Sequence, residues 1–452
     1  MIENDAFKLL LINLFHLNPD DIANIVCTTF NKMMVLLVTL ADKHQACPYC
    51  GFTAPKIKEY VTKEITHSAL TTQKCIIKYR ARRYKCPCCG KTYYEFNPFV
   101  FKSQKISILT VHNILKDLKD FNETFTSVAR RYHVSPTSVS TIFDNHVDIG
   151  RNPLPEIINF DEVYAFKSEK SKYVCVLLDF KKQIPVDVLP NRKKEYLLNY
   201  FQKIPLEERK KVKYACSDMY EVYRDVVHKV FPESKHLLDY FHLSQDFHKK
   251  MNEVRIKVMK GYKDDKASDE YYLLKKFNWL LFKNPEDEDK YGRLFDVERE
   301  RKYNSHFKSY MNYYDLRKKL LEINNDLTIC YSLKLELVDF YSKSTIDNAQ
   351  VNLEHLIRSF IDTNIEEMIK FSNNLINWKQ EIINSFTIVG TEYKVEADKG
   401  QVVVCNKKVN NAIIENRNKI IKCIKNNANG YTNWSRFRNR VMYVLDSNAT
   451  FS

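Results

Sequence analysis

The chain has 452 residues, enough for roughly three domains with buried cores. Its 71 Lys and Arg against 56 Asp and Glu leave a net charge of +15, which suits a partner made of phosphate more than a membrane. No apolar run approaches the roughly 18 residues that span a bilayer, and the start, Met1-Ile2-Glu3-Asn4-Asp5, is acidic where a secretory signal is basic. The positive charge is also localised. Residues 56–105 hold twelve Lys or Arg against three Glu, and residues 401–452 hold nine against two acids, so the remainder is about neutral.

In chain order, residues 7–17 have the spacing of a short amphipathic helix and residues 33–40 that of a strand. Six of the twelve cysteines then lie between Cys47 and Cys89, the others being scattered through apolar runs. That is the pattern of a metal site plus buried thiols in a reducing cytoplasm. Cys47-Pro48-Tyr49-Cys50-Gly51 and Cys86-Pro87-Cys88-Cys89-Gly90 are two CxxC turns, each closed by glycine. Four thiolates so paired suit tetrahedral Zn²⁺, which makes Cys47, Cys50, Cys86 and Cys89 the expected ligands and Cys88 the spare. His67 or Cys75 as a substitute ligand is the alternative. Gly90-Lys91-Thr92 imitates the end of a phosphate loop, but Lys85 occupies the place of its first glycine, so there is no Walker motif. Between the turns, residues 76–84 alternate as a strand. Its Lys78, Arg80, Arg82, Arg83 and Lys85, interleaved with Tyr79 and Tyr84, suit a DNA backbone; a solvated strand edge is the plainer reading.

Residues 107–145 are helical in pattern. Val128, Ala129, Tyr132, Val134, Val139 and Ile142 fall where two short helices must pack, with Ala129 small at the crossing and Pro136 opening the second helix. The stretch resembles a helix-turn-helix, in which Thr137, Ser138 and Thr141 would face a DNA groove. His133 stands where the turn usually has glycine, and a plain helical hairpin is the alternative.

Pro153 and Pro155 mark the next boundary. The spacing beyond them predicts strands at 157–166, 172–180 and 184–189, a helix at 193–204, a strand at 212–217, a helix at 220–230 and a strand at 235–239. That β-β-β-α-β-α-β order is the core of a ribonuclease H-like α/β fold. Asp161 interrupts the first, apolar strand, where a desolvated carboxylate must find a partner or a metal. Asp218 follows directly on the fourth strand. Two strands that deliver Asp to one sheet edge can hold a divalent ion pair, and Asp161 is read as its first ligand. Asp179, Asp187 and Asp239 also sit near strand ends and are read as structural or supporting. Residues 246–400 turn helical without a metal pattern, Glu354-His355 and Glu366-Glu367 being read as solvated helix faces. In the tail, Ile413, Ile420 and Ile424 make one apolar stripe on a helix, while Glu415, Lys419 and Lys422 share another face. Glu415 is then either a surface partner of Lys419 or a third carboxylate, with the basic face along DNA.

Taken together, Phe160-Asp161-Glu162, then Asp218-Met219 with Tyr223, Phe231-Pro232, Asp239, Phe241-His242 and Gln245, and finally Ala412 to Glu415 with Asn418-Lys419-Ile420-Ile421-Lys422, Ala428-Asn429-Gly430-Tyr431 and Arg436-Phe437-Arg438, resemble the ISL-three insertion-sequence family of DDE transposases. Tyr240 departs from the family's usual Arg, and Asn416 from a common Gly. The resemblance implies a catalytic triad of Asp161, Asp218 and Glu415 holding Mg²⁺ (or Mn²⁺), a zinc site on the four cysteines, and DNA contact by the basic tail, with Arg436 and Arg438. It implies a zinc-binding domain at 1–100, a helix-turn-helix at 101–150, a ribonuclease H-like core at 151–245, a helical insertion at 246–400, and core completion with the Glu helix at 401–452. The expected activity is metal-dependent cleavage and strand transfer at terminal inverted repeats, by a homo-oligomer on double-stranded DNA in a bacterial, nucleoid-associated setting. A catalytically silent DNA-binding derivative is the competing reading, and a nuclease without joining activity is a third.

Overall fold

A computed structural model describes residues 2–43, 46–70, 73–101, 104–166, 171–395 and 402–451. The chain divides into two compact units, one of Met1–Arg151, Tyr164–Lys167 and Lys419–Ser452, the other of Asn152–Val163 and Ser168–Asn418.

The first unit opens with helix α1 (Ile2–Leu14), which stops just before His16 at φ +51°. Strands β1 (Ile22–Phe30), β2 (Met33–Leu40), β3 (Lys56–Thr66), β4 (Cys75–Lys85) and β5 (Thr92–Tyr94) form a sheet in the order β1-β2-β4-β3, with β5 on the end of β4. The strand period of two sorts β4: Ile77, Tyr79 and Ala81 join the core with Leu11, Ile12 and Phe15, while Arg80 is exposed. Helices α2 (Ile108–Asp117), α3 (Phe125–Arg131) and α4 (Pro136–His146) follow, each started by a hydroxyl cap: Ser107, Thr124 and Ser135. The turn between α3 and α4 puts His133 at φ +53°, the left-handed conformation for which glycine was expected. Val128, Ala129, Tyr132, Val139, Ile142 and Phe143 are buried together, as the sequence spacing requires, and Tyr443 from the far end of the chain joins them.

In the second unit β6 (Ile157–Val163), β7 (Val174–Asp179), β8 (Pro185–Leu189), α5 (Lys194–Gln202), α6 (Leu206–Arg209), β9 (Tyr214–Ser217), α7 (Glu221–Val230) and β10 (Lys235–Leu238) build a mixed sheet in the order β10-β9-β6-β7-β8. The strands β6, β7 and β8 are antiparallel neighbours, and β9 and β10 run parallel to β6. This mixed α/β arrangement fits a ribonuclease H-like core. Being central, β6 is buried almost throughout, its polar Asn159 and Asp161 included. Its Ile158 and Phe160 pack on Leu197, Phe201, Tyr223 and Val227 of α5 and α7. The opposite face carries Ile157, Asn159 and Asp161.

The rest of this unit is mostly helical: α8 (Tyr240–Lys260), α9 (Asp269–Lys276), α10 (Tyr313–Glu322), α11 (Asn325–Lys343), α12 (Ala349–Ile361), α13 (Glu366–Asn377) and α14 (Lys379–Asn384) share one large apolar core. Two small hairpins, β11–β12 (Glu288–Asp289, Gly292–Arg293) and β13–β14 (Lys302–Asn304, Ser309–Met311), interrupt it. In a third, β15–β16 (Ile388–Val395, Val402–Lys408), the first strand lies within the 246–400 segment for which the sequence predicts helix. The last helices are α15 (Ala412–Asn427) and α16 (Trp434–Leu445). The apolar stripe on α15 needs correcting. Its buried positions are Ile414, Asn418, Ile421 and Ile424, while Ile413 and Ile420 are only half buried.

Candidate active site and metal centres

Strand alternation and helix periodicity together assemble an acidic pocket in the second unit. On β6, Asn159 Nδ2 donates to the Asn410 carbonyl and to Asn411 Oδ1, both at 2.7 Å, which ties the strand to the start of α15. Two residues along the same face, Asp161 accepts from Asn418 Nδ2 at 2.7 Å and from the Glu162 amide at 2.7 Å. Asn411, Glu415 and Asn418 follow an i, i+4, i+7 spacing, so the helix that holds Asp161 also presents Glu415. His242, in the first turn of α8, lies 3.8 Å from both Glu415 Oε1 and Asp239 Oδ2. Glu162 is turned aside into an ion pair with Arg192, whose guanidinium lies 4.7 Å from the rings of both Tyr173 and Tyr220.

Burial dominates the electrostatics. Asp161 is 7% exposed, and desolvation, reinforced by the nearby Asp218 charge, pushes its carboxyl up to about 7. Burial likewise raises Asp218 and Asp239, with His242 opposing the shift in both. Five buried atoms of the described residues here have no hydrogen-bond partner: Asn159 Oδ1, Asp218 Oδ1, Asp239 Oδ2, His242 Nε2 and Asn418 Oδ1. Oxygen donors desolvated beside one another without donors to satisfy them are the donor set that a hard divalent cation neutralises. Asp239, His242 and Glu415 can share one ion, so Asp239, read from sequence as supporting, sits within the pocket itself.

A pH dependence follows. The Asp161 carboxyl binds its proton more tightly in the folded than in the unfolded chain, so its contribution to stability is full below the ordinary carboxylate range and is lost as pH rises through about 7; the raised Asp218 and Asp239 act in the same direction. Thermal melts in EDTA are expected to give a midpoint a few degrees lower at pH 8 than at pH 5. Asp161→Asn should shrink that difference, and Mg²⁺ should raise the wild-type midpoint at pH 8.

In the first unit the two CxxC turns adopt the same local geometry. The Gly51 amide donates to the Cys47 carbonyl and the Gly90 amide to the Cys86 carbonyl, both at 2.9 Å, with the glycines at φ +76° and +70°. Cys47 Sγ lies 3.7 Å from Cys89 Sγ, and Cys50 Sγ 3.5 Å from Cys86 Sγ. A tetrahedron of sulfurs about 2.3 Å from a zinc ion has edges of about 3.8 Å, so the cluster is compatible with zinc. The Cys89 amide, directed at Cys86 Sγ, holds that thiol down to about 7. Cys88 is exposed and stands apart from the cluster. His67 is bonded to Ser107 Oγ and to the Phe15 carbonyl instead, and Cys75 lies in the sheet core.

The basic residues divide. Arg80 is exposed, 4.9 Å over the Tyr60 ring, and Lys85, Thr137, Thr141, Lys419 and Lys422 are exposed as well. Arg82 is not: it bonds Glu95 at 2.8 Å and the carbonyls of Leu40 and Ala41, so its charge is spent inside the fold. Arg83 pairs with Glu59 at 2.6 Å. Ser138 Oγ is 2.8 Å from its cap partner Ser135. Arg436 pairs with Asp144 at 2.6 Å, and Arg438 donates to the Ile149 carbonyl at 2.6 Å.

The family model for ISL3-type DDE transposases, described as "Transposase", matches residues 158–397, just over half of the chain. The chain belongs to the ISL-three family of transposases. The matched span takes in Asp161, Asp218, Asp239 and His242 and ends before Glu415. The family member is also similar to the "Transposase for insertion sequence element IS1001" of Bordetella parapertussis, at 19% identity over 410 residues and 90% of each chain. Among the described residues no helix is long and apolar enough to cross a membrane.

Proposed function

We propose that this family member is a DDE transposase that cuts DNA at the terminal inverted repeats of its element and joins the freed ends to target DNA, with Asp161, Asp218 and Glu415 as the catalytic carboxylates. The observation that carries the reading is the acidic pocket, with its buried, unpartnered oxygens of Asp218 and Asp239. Asp161, Asp218 and Glu415, with Asp239 and His242 beside them, would hold Mg²⁺ or Mn²⁺. When bound, such ions lower the pKa of an attacking water or 3′ hydroxyl and neutralise charge on the leaving oxygen. The chain's own part is to orient and to desolvate. Asn418 fixes the Asp161 carboxylate, Arg192 keeps Glu162 from competing as a ligand, and the buried strand end excludes bulk water.

In the same reading α3 and α4 act as a helix-turn-helix with Thr137 and Thr141 toward a groove. Arg80, Lys85, Lys419 and Lys422 contact phosphates, the four cysteines carry a structural Zn²⁺, and two ends are held by a homo-oligomer. Arg82, Arg436 and Arg438, engaged within the protein, serve as framework. The intact acids weigh against a silent DNA-binding derivative. The test is incubation of the purified protein with DNA carrying the element's end sequences. Mg²⁺ or Mn²⁺ should yield new 3′ hydroxyl ends and end-to-target joints, and EDTA should suppress both. Binding to the ends without any nicking would leave only the silent reading, and nicking without joints only a nuclease.

A further inference from the structure

A third group of metal-ligating side chains is distinct from the acidic pocket and from the four cysteines. His228 near the end of α7, His236 within β10 and Glu381 on α14 bring one ligand atom each to within 4.8 Å of one another. Glu381 Oε1 is 3.8 Å from His228 Nε2 and 3.9 Å from His236 Nδ1. Glu381 is 4% exposed and His236 1%, whereas the His228 side chain is 56% exposed and opens the cluster to solvent.

Proton positions fix what His236 offers. Ser217 Oγ donates its single hydrogen to the Asp218 carbonyl at 2.8 Å. In the arrangement that satisfies both neighbours it accepts from His236 Nε2, 2.9 Å away, which then carries the imidazole proton. The other nitrogen, Nδ1, is buried with no hydrogen-bond partner. Burial pushes His236 down to about 3, so a second proton does not fill that position at neutral pH. A bare lone pair thus faces a buried carboxylate, an arrangement that is repulsive on its own and favourable around a cation. An imidazole whose remote N–H is anchored by a fixed acceptor is also the usual state of a metal-bound histidine.

We propose that His228 Nε2, His236 Nδ1 and the Glu381 carboxylate form a site for a divalent transition metal ion, zinc in the first place, with water as the remaining ligand. Two imidazoles and a carboxylate are a borderline donor set that suits zinc better than magnesium. Tetrahedral ligands about 2.0–2.1 Å from zinc lie about 3.4 Å apart, so the carboxylate need close on each imidazole by only a few tenths of an ångström, and the two imidazole nitrogens, within 4.8 Å of each other, can be brought together by rotation of the exposed His228 side chain. The ion would clamp α14, at the end of the helical segment, to α7 and to the edge strand β10. Through His236 and Ser217 it would also steady the backbone that carries Asp218. The site stands on its own geometry, whether or not the acidic pocket is catalytic.

Zinc per chain, measured by plasma mass spectrometry on dialysed full-length protein, tests this. Wild type should hold one equivalent more than His228→Gln and Glu381→Gln, and Cys50→Ser should retain that equivalent. His228→Gln changes an exposed side chain, and its circular dichroism in EDTA should match wild type. With Co²⁺ as the probe, His228→Gln should weaken the visible d–d bands and leave thiolate charge-transfer absorption intact. Equal zinc content in wild type and His228→Gln, or Co²⁺ spectra that do not differ, would overturn the site.

Discussion

Asp161→Asn is expected to lower metal-dependent cleavage and joining of end DNA by about 10³-fold or more, because it removes a charged ligand from the centre where the transition-state charge develops. Folding should survive. The carboxamide oxygen of the variant can still accept from Asn418, and replacing a carboxyl whose ionisation burial already opposes removes an electrostatic cost. End binding should stay within about twofold of wild type, since the basic surface is elsewhere in the chain. Nicking assays alongside mobility shifts separate the two effects. Activity within tenfold of wild type would remove Asp161 from the machinery.

Cys86→Ser should produce the second large effect, a loss of one zinc equivalent and about 10²-fold of affinity for end DNA. Cys86 is fully buried, follows directly on β4, and lies beside Cys50. Zinc contributes about 10–16 kcal/mol to small fingers that have no other core. Here the apolar core shared by α1 and the sheet remains, so far-ultraviolet circular dichroism should change little while the two turns and the end of β4 come loose. Arg80 and Lys85 on that strand would lose their fixed placement. A variant that keeps its zinc and its affinity would show that the four thiols do not act as one site.

Much of this was legible in the sequence. The two CxxC-Gly turns, the buried seam of the short helices and the strand carrying Asp161 rest on local periodicity and on glycine conformation, which neighbouring residues specify. What escaped depends on partners distant in the chain. The engagement of Arg82 with Glu95 cannot be read from spacing along β4, because the acid comes from beyond β5. The buried side of α15 was misjudged because one of its inward positions is the polar Asn418, whose partner Asp161 lies 257 residues away. A signal was present nonetheless. Asn159 two residues before Asp161, and Asn411 and Asn418 at helical spacing around Glu415, mark polar faces that periodicity alone could have matched. The hairpin β15–β16 was missed because its first strand follows a long helical tract. Glu381 was passed over because its two histidine neighbours come from a strand and a helix more than 140 residues earlier.

The central claim is that Asp161, Asp218 and Glu415 act on the same divalent cations. Electron paramagnetic resonance can count Mn²⁺ bound to zinc-saturated, full-length protein in the absence of DNA. Wild type is expected to bind Mn²⁺ that Asp161→Asn, Asp218→Asn and Glu415→Gln each lose or hold at least tenfold more weakly. An isotherm left unchanged by Glu415→Gln, while the two aspartate variants alter it, would contradict a shared centre.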